Sequence, residues 1–138
     1  MITCEIFKRR LVDLCLRSGL TEFPTKRRDQ LILLKSIVNG FEADKVYSEL
    51  EVNEIITLWR NSADCFGGWD HVTLRRRLVD ERLLDRAQDG SSYRVNPNGP
   101  LELSFESGIE EVVLTTVLAE GLRAIEQRKA AYLQNHAL

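Results

Sequence analysis

The sequence predicts a mostly α-helical chain with one small β-hairpin, arranged as a winged helix-turn-helix core flanked by N- and C-terminal helices. Three observations indicate this fold class. Apolar residues recur at three- and four-residue spacing along most of the 138 residues, which is typical of amphipathic helices. An arginine-bearing helical stretch follows two earlier helical segments of the core. A hairpin pattern with Asp89-Gly90 at its tip comes directly after that stretch, which is the element order of a winged helix-turn-helix.

The first two predicted helices lie well ahead of the arginine stretch. The first spans residues 3–18 and ends at Gly19, a favourable C-cap; its apolar stripe consists of Cys4, Phe7, Leu11 and Leu14. The second begins after Pro24, with Thr25 as its expected N-cap, and ends near Asn39. Because it carries apolar residues on more than one side, we expect it to be a central, buried helix.

The next predicted elements surround the arginine stretch. Ser48 and Glu51 have the spacing of a capping box and predict the start of a helix that turns four apolar residues inward: Val52, Ile55, Ile56 and Trp59. Residues 61–69 are expected to form a loop, and Asp70 can cap the arginine helix. After the hairpin, residues 96–100 contain two prolines and a glycine, which predicts a break in regular structure.

The whole chain, 1–138, is expected to form a single domain. Its winged core spans about 23–95, between flanking helices at 3–18 and 107–135. The three cysteines have no paired spacing, and the sequence shows no leader pattern. Its apolar runs are far shorter than the ~18 residues of a membrane span. We therefore expect a reduced, cytoplasmic protein without membrane contact. Trp59 and Trp69 are interpreted as core aromatics rather than as the walls of a ligand cavity.

Charge is distributed unevenly along the chain. The net charge is −2, which argues against a protein that binds nucleic acid over its whole surface. Residues 1–35 hold eight Lys and Arg against four Asp and Glu, residues 36–69 hold two against six, and residues 70–95 hold six against five. An anionic partner is therefore expected to meet a local basic patch.

The arginine helix divides into two faces at 100° per residue. Its apolar side carries Val72, Leu74, Leu78 and Val79, while Thr73, Arg76 and Arg77 point the other way. Arg75 falls among the apolar positions, so we expect it to be a structural arginine with a buried carboxylate or backbone partner. The outward residues Thr73, Arg76 and Arg77 are predicted to read base edges in the major groove. The alternative is a solvated face on which Arg76 and Arg77 pair with Asp80 and Glu81 at helical spacing. Arg86 and Arg94 on the hairpin are predicted to contact phosphates.

Several blocks of sequence between Phe23 and Val95 resemble, in the same order, a bacterial family known as domain of unknown function 2087. These blocks are F-P-T-K-R-R, Y-S-E-L-E-V-N-E-I, T-L-R-R-R-L-V-D and L-L-D-R-A-Q-D-G-S-S-Y-R-V. The resemblance covers about half the chain. It implies a winged-helix-like fold and a role beside bacterial transcription regulators, but it brings no catalytic residues and no ligand.

The functional prediction is therefore a sequence-specific, DNA-binding transcriptional regulator that binds double-stranded DNA. A second basic triplet offers further phosphate contacts from Lys26, Arg27 and Arg28, although ordinary solvated side chains are the favoured interpretation of it. A homodimer is expected because both terminal helices carry apolar stripes, with an interface formed by Phe7, Leu11, Leu114, Leu118 and Ile125. The alternative assembly is a monomer in which the two terminal helices pack on each other.

Two other classes of function remain open at this point. The same fold can serve as a protein–protein interaction module without DNA binding, which the acidic segment 36–69 favours. A small enzyme could use Cys65, Asp70 and His71, but no orienting frame or oxyanion site accompanies them, so no enzyme activity, cofactor or metal is expected. The DNA sequence bound, the regulated genes and any small-molecule effector are not encoded in a recognisable pattern.

Overall fold

A computed structural model describes residues 1–17, 22–63, 69–100 and 102–136 of the chain. The described part is mostly helical and contains one antiparallel pair of strands. Its elements in chain order are α1 Cys4–Val12, α2 Arg27–Val38, α3 Glu49–Ala63, α4 His71–Asp80, β1 Leu84–Arg86, β2 Tyr93–Val95 and α5 Leu114–His136. A π-helical turn, Asp13–Arg17, extends α1, and a 3-10 turn, Ile109–Glu111, precedes α5.

The central part of the chain is a winged helix-turn-helix. Helices α2, α3 and α4 are followed by the hairpin β1–β2, in which Leu84 pairs with Val95 and Arg86 with Tyr93. Tyr47, just ahead of α3, forms an isolated antiparallel β-bridge to β2, because its N–H and C=O both hydrogen-bond to the backbone of Tyr93 at 2.8 Å. The predicted fold class is thus confirmed, with a bridge at Tyr47 that the sequence did not reveal.

The start of α3 and the position of α2 follow from local sequence. The predicted capping box is present: the Ser48 N–H donates to Glu51 Oε1 at 3.0 Å, and the Glu51 N–H donates to Ser48 Oγ at 3.2 Å. The hydrogen bond from the backbone N–H of Ser48 also holds the pKa of Glu51 below its usual value. Helix α2 is buried on several sides, as its apolar residues predict, and forms the centre of the core.

Helix α4 ends in a Schellman motif that sets the angle at which the chain enters the hairpin. The Leu83 N–H donates to the Leu78 carbonyl at 2.9 Å, and the Arg82 N–H donates to the Val79 carbonyl at 3.0 Å. Arg82 adopts φ +61°, the left-handed conformation that this motif requires and that glycine usually supplies. Leu78 and Leu83 are both buried and provide the apolar contact that accompanies the motif.

The terminal helices pack on each other within the chain. Phe7 and Leu11 of α1 are fully buried, and Leu114 and Leu118 of α5 are also part of the core. Gly121 permits the close approach, since a Cβ there would lie 2.7 Å from Val12 Cγ2. Four of the five residues predicted for the dimer interface are therefore already used inside the subunit, and only Ile125 is partly exposed.

Three predicted helix boundaries are wrong. The N-cap of α2 is Lys26 rather than Thr25, and its side chain makes no capping hydrogen bond. Helix α3 continues to Ala63, three residues into the predicted loop. Helix α5 begins at Leu114 rather than near 107, because Gly108 has φ +96° and the carbonyls of Ile109 and Val112 are held by Asn39 Nδ2. The predicted C-cap at Gly19 lies outside the described residues.

An ion pair that the sequence did not predict joins α1 to α2. Asp29 is buried, and its carboxylate accepts hydrogen bonds from Nε and Nη2 of Arg10 at 3.0–3.2 Å. This fork-to-fork geometry satisfies both charges in a shielded setting. Arg10 belongs to the triplet Lys8-Arg9-Arg10, which looks solvated in sequence, so only the packing of α1 on α2 distinguishes it. Within the described residues, no helix is long and apolar enough to cross a membrane.

Candidate nucleic-acid interface

Helix α4 begins at a well-formed cap and presents an exposed strip that contains Thr73 and Arg76. The carboxylate of Asp70 accepts the Thr73 N–H at 2.8 Å, as the sequence predicts, and this hydrogen bond lowers the pKa of Asp70. Leu74 and Leu78 are buried, whereas Thr73 and Arg76 are exposed. Val72, expected on the apolar side, is 40% exposed.

The three consecutive arginines of α4 have three different environments, and Arg75 is held by α3. Its Nη2 lies 2.9 Å from Glu49 Oε1, and its Nη1 donates to Asn53 Oδ1. The structural role predicted for Arg75 is confirmed, although its partners are an exposed carboxylate and an amide rather than a buried carboxylate. Arg75 thereby fixes α4 against the first turns of α3.

Arg77 is held on the opposite flank of α4. Its Nη2 donates to Gln30 Oε1 at 3.2 Å and lies 3.4 Å from Glu81 Oε1, while its guanidinium sits 5.8 Å from the centroid of the Trp69 ring. Its Nε–H is buried and donates to no acceptor among the described residues. Trp69 in turn stacks on Phe23 with ring centroids 4.1 Å apart. The Arg77 side chain, which was predicted to read bases, therefore packs between α2 and α4.

Arg76 is the arginine of α4 that remains available. It is exposed and makes no ion pair with any described residue. Its side chain lines a groove of about 310 Å³ between α4 and the hairpin, together with Arg75, Arg86 and Tyr93. Two carboxylates, those of Glu49 and Asp80, line the same groove. Arg76 and Arg86 are thus brought together from residues ten positions apart, and they form the basic part of the groove.

The tip of the hairpin positions Arg86. Gly90 has φ +74°, its N–H donates to the Ala87 carbonyl at 2.8 Å, and Asp89 accepts the Ser91 N–H at 3.0 Å. A Cβ on Gly90 would lie 2.3 Å from Nη2 of Arg86, so the guanidinium rests directly on this glycine. The Asp89-Gly90 turn therefore supplies both the left-handed conformation and the space that Arg86 occupies.

Arg94 lies on the other face of the hairpin. Strand register pairs it with Asp85, while Arg86 is paired with Tyr93, and successive side chains of a strand alternate between faces. Arg94 is exposed and has no ion pair within the described part of the chain. The two hairpin arginines predicted to contact phosphates therefore do not point into the same groove.

The triplet Lys26, Arg27 and Arg28 is only partly free. Arg27 is bound by two carboxylates: Glu81, whose Oε1 lies 2.6 Å from Nη1, and Glu102, whose Oε2 lies 3.0 Å from Nε. These hydrogen bonds raise the pKa of Arg27, and the bond to Glu81 has a larger effect than the bond to Glu102. The hydrogen bond from Arg27 in turn lowers the pKa of Glu102. Lys26 and Arg28 are exposed and make no ion pair within the described ranges.

The residues considered for an enzyme do not form a described site. Cys65 lies outside the described residues, and the Asp70 carboxylate is engaged in capping α4. The hypothesis of a small enzyme therefore gains no support from the geometry of the described residues.

The comparison with protein families identifies the chain. A family described as "Uncharacterized protein conserved in bacteria" (DUF2087) matches residues 19–95, which is more than half of the sequence. The chain belongs to this family. The matched segment runs from before α2 to the last residue of β2, so the DUF2087 region contains α4 and the whole hairpin. Searches of curated proteins and of solved structures gave no match.

Part of the role of Glu81 escaped sequence reasoning. Glu81, at the C-cap of α4, binds both Arg27 and Arg77 and therefore decides which basic residues are available. The only signal in the sequence is the spacing of Arg77 and Glu81, which permits an i, i+4 pair. The contact with Arg27, 54 residues away, is purely tertiary.

Proposed function

We propose that this DUF2087 protein is a sequence-specific, DNA-binding transcriptional regulator of bacteria. The exposed strip of α4 enters the major groove, where Thr73 and Arg76 contact base edges. Arg86 contacts a flanking phosphate from the groove side of the hairpin, and Arg94 adds a weaker contact from the outer face. Arg77 and Arg27 are left out of the contact set because carboxylates of the same chain already bind them.

One observation carries the proposal: the groove between α4 and the hairpin brings together Arg76 and Arg86. Both are exposed arginines without an ion pair among the described residues, and they project from the helix and the strand that a winged module presents to DNA. Arginine forms two hydrogen bonds with a guanine edge or a phosphate, so two of them at one groove suit a duplex. The proposal places the protein in the cytoplasm, where the bacterial chromosome lies.

Selection of bound sequences from random duplex DNA tests the proposal directly. We expect an enriched motif, and a palindromic motif if the protein binds as a symmetric dimer. Four phosphate contacts, two from each subunit of such a dimer, would lower the affinity about a hundredfold between 50 and 200 mM salt. A selection without enrichment, combined with no duplex binding at 50 mM salt, would reject DNA binding.

A protein–protein interaction module is the second candidate, and the acidic lining of the groove favours it. Glu49 and Asp80 lie beside Arg76 and Arg86 and reduce the attraction of the groove for phosphates. Such a mixed groove suits a protein partner with charges of both signs. Binding of a protein partner would depend much less on salt than the proposed DNA complex, so the same salt titration separates the two candidates.

We also propose that the protein is a homodimer, with an interface on the second half of α5. Residues 126–136 are all exposed, and this half of the helix has no tertiary cover from the described residues. It carries Tyr132, 61% exposed, and Leu133, 67% exposed. Leu122, also exposed, lies about three helical turns before Leu133 on the same side of the helix. Eleven helical residues without packing are marginal in water, and pairing with a second copy would cover their apolar side chains.

Sedimentation equilibrium of Leu133→Glu tests the dimer. We expect the wild type to sediment at twice 15.8 kDa and the variant at 15.8 kDa, with helical content retained in both. Leu118→Glu is unsuitable because Leu118 belongs to the core of the subunit itself. Gln127→Glu, which introduces the same charge on the opposite face of this helix, is the control and should remain a dimer. A wild type that sediments at 15.8 kDa at all micromolar concentrations would exclude the dimer.

A further inference from the structure

A second cavity, of about 320 Å³, lies between α2 and the part of the chain that follows the hairpin. Lys35, in the last turn of α2, contributes its side chain to the lining. Residues 97–100 and 103–105 supply most of the remaining lining, and Glu110 completes it. The cavity shares no residue with the groove between α4 and the hairpin, so any chemistry at Lys35 is separate from the proposed DNA contact.

The amine of Lys35 lines this cavity without a counter-charge. Lys35 is half-buried, and its Nζ lies 5.8 Å from the centroid of the Phe105 ring. It makes no ion pair with any described residue, and the Glu110 carboxylate instead accepts the Gly108 N–H at 3.1 Å. An ammonium that loses water without gaining a carboxylate is disfavoured relative to the neutral amine. Accordingly, burial lowers the pKa of Lys35, and the charge of Glu110 opposes this only in part.

The wall opposite the amine is held in place by packed backbone. A Cβ on Gly99 would lie 1.7 Å from the carbonyl oxygen of Arg82, so the Gly99 backbone rests directly against the Schellman motif that ends α4. The Asn96 N–H donates to the Leu83 carbonyl of the same motif at 3.0 Å. The space beside Lys35 is therefore bounded by a fixed segment of chain rather than by side chains alone.

Two exposed polar residues, Asn98 and Ser104, line the cavity together with the amine. Their amide and hydroxyl groups can donate hydrogen bonds to the oxygens of a small anionic reagent. The cavity thus combines a nucleophile, neutral donors and room for a short acyl group. These are the requirements of acyl transfer from an activated, negatively charged donor.

We propose that Lys35 is a site of acylation by small acyl phosphates. The neutral amine attacks the carbonyl carbon of the acyl phosphate, and a C–N bond forms. The C–O bond to the phosphate breaks, phosphate leaves with the electron pair, and the amine nitrogen gives up one proton to water. The product is an uncharged amide, which needs no counter-ion in the cavity.

The chain contains its own controls for this reaction. Its other four lysines are all exposed: Lys8, Lys26, Lys45 and Lys129. Lys45 is the best match for Lys35, because its Nζ also lies over an aromatic ring, 5.0 Å from the centroid of Tyr47. A difference in rate between Lys35 and Lys45 therefore reports on the cavity and not on the neighbouring ring.

The test treats the full chain with acetyl phosphate and follows each lysine by mass spectrometry of peptides at early times. At about pH 7.5 we expect Lys35 to be acetylated about threefold or more faster than Lys45, because a larger fraction of its amine is neutral. This excess should shrink at high pH, where exposed lysines also lose their protons. In urea-unfolded protein the two lysines should react at equal rates, because the cavity no longer exists.

Two pairs of variants locate the effect. Ser104→Phe places a ring in the lining and should slow acetylation of Lys35 about threefold. Ser107→Phe makes the same change at an exposed serine outside the lining and should leave the rate unchanged. Glu110→Gln removes the nearby negative charge and should speed the reaction of Lys35 about twofold, whereas Glu126→Gln, on the distal half of α5, should not. Thermal melts confirm that each variant is folded.

Three results would overturn the proposal. The first is acetylation of Lys35 in the folded protein at the rate of Lys45 or below it. The second is an excess at Lys35 that persists in urea, which would assign it to local sequence rather than to the cavity. The third is an equal rate at Lys35 in folded Ser104→Phe and Ser107→Phe, which would show that the reagent does not reach the amine through this cavity.

Discussion

Both flanks of α4 carry arginines, but the arginines are exposed on one flank and ion-paired on the other. On the flank that faces the hairpin, Arg76 and Arg86 are exposed and have no ion pair among the described residues. On the flank that faces α2, Arg77 and Arg27 converge on Glu81 and are bound by it. Adjacent arginines of one helix thus differ in environment because 100° of rotation changes which element they meet.

The difference teaches that a run of basic residues does not by itself measure a binding surface. An arginine held by a carboxylate of its own chain must lose that partner before it can bind a phosphate, whereas an exposed arginine only exchanges water. The hairpin flank is therefore the functional candidate, and the α2 flank is the structural one.

The largest expected effect is on duplex affinity. Arg76→Ala combined with Arg86→Ala should weaken binding to a selected duplex about a hundredfold at low salt, because one base contact and one phosphate contact are lost. The melting temperature should stay unchanged, because neither side chain has an ion pair within the described chain. Fluorescence anisotropy measures the affinity.

The control for this pair removes the same charge elsewhere. Arg9→Ala combined with Arg123→Ala changes exposed arginines of the terminal helices and should alter duplex affinity by less than about threefold at equal net charge. Equal losses for the two double variants would show that the groove is not the contact surface.

The next largest effect is on stability, on the α2 flank. Glu81→Ala leaves Arg27 without one carboxylate and Arg77 without its own, in a place where the Glu81 side chain is only 11% exposed. We expect a loss of about 1–2 kcal/mol in the free energy of unfolding, measured with urea. Glu102→Ala removes a 63% exposed partner of Arg27 and should cost less than about 0.5 kcal/mol. Similar losses in both variants would contradict the structural role of Glu81.

Two glycines with positive φ sharpen the comparison on the hairpin flank. Gly90→Ala and Gly108→Ala should each cost about 1 kcal/mol of stability, since alanine is strained at φ +74° and +96°. Only Gly90→Ala also displaces Arg86, because nothing lies within 4 Å of a Cβ at Gly108. Duplex affinity should therefore fall in Gly90→Ala and not in Gly108→Ala. If both variants keep wild-type affinity, the position of Arg86 on Gly90 has no role in binding.

The smallest effect concerns the cap of α4, which belongs to neither flank. The Thr73 N–H lowers the pKa of Asp70 from its ordinary value of 3.8, so the cap contributes stability above that pH and loses it as the pH falls through the folded pKa. Asp70→Ala should lower the melting temperature by a few degrees at pH 7, and this gap should close below pH 3.8. Asp70→Asn keeps a capping oxygen without a titrating charge, so its advantage over Asp70→Ala should be independent of pH.

Local patterns in the sequence determined the element order, the confirmed caps at Ser48, Glu51 and Asp70, and the turn at Asp89-Gly90. Each depends on hydrogen bonds or backbone conformations within a few residues, which the sequence displays directly. Helical periodicity also separated Arg75 from Arg76. The start of α5 could not be predicted, because Asn39, 70 residues from Ile109, holds the turn that delays it.

Tertiary structure alone decided which side chains remain available. Glu81 captures Arg27 across 54 residues, Asp29 captures Arg10 across 19, and the packing of α1 on α5 buries Phe7, Leu11, Leu114 and Leu118 that looked like an interface in sequence. An apolar stripe or a basic triplet is the same in sequence whether its partner is solvent, another chain or a distant segment of its own. The sequence by itself fixes which face of a helix a residue occupies, and only the packed chain decides what that face meets.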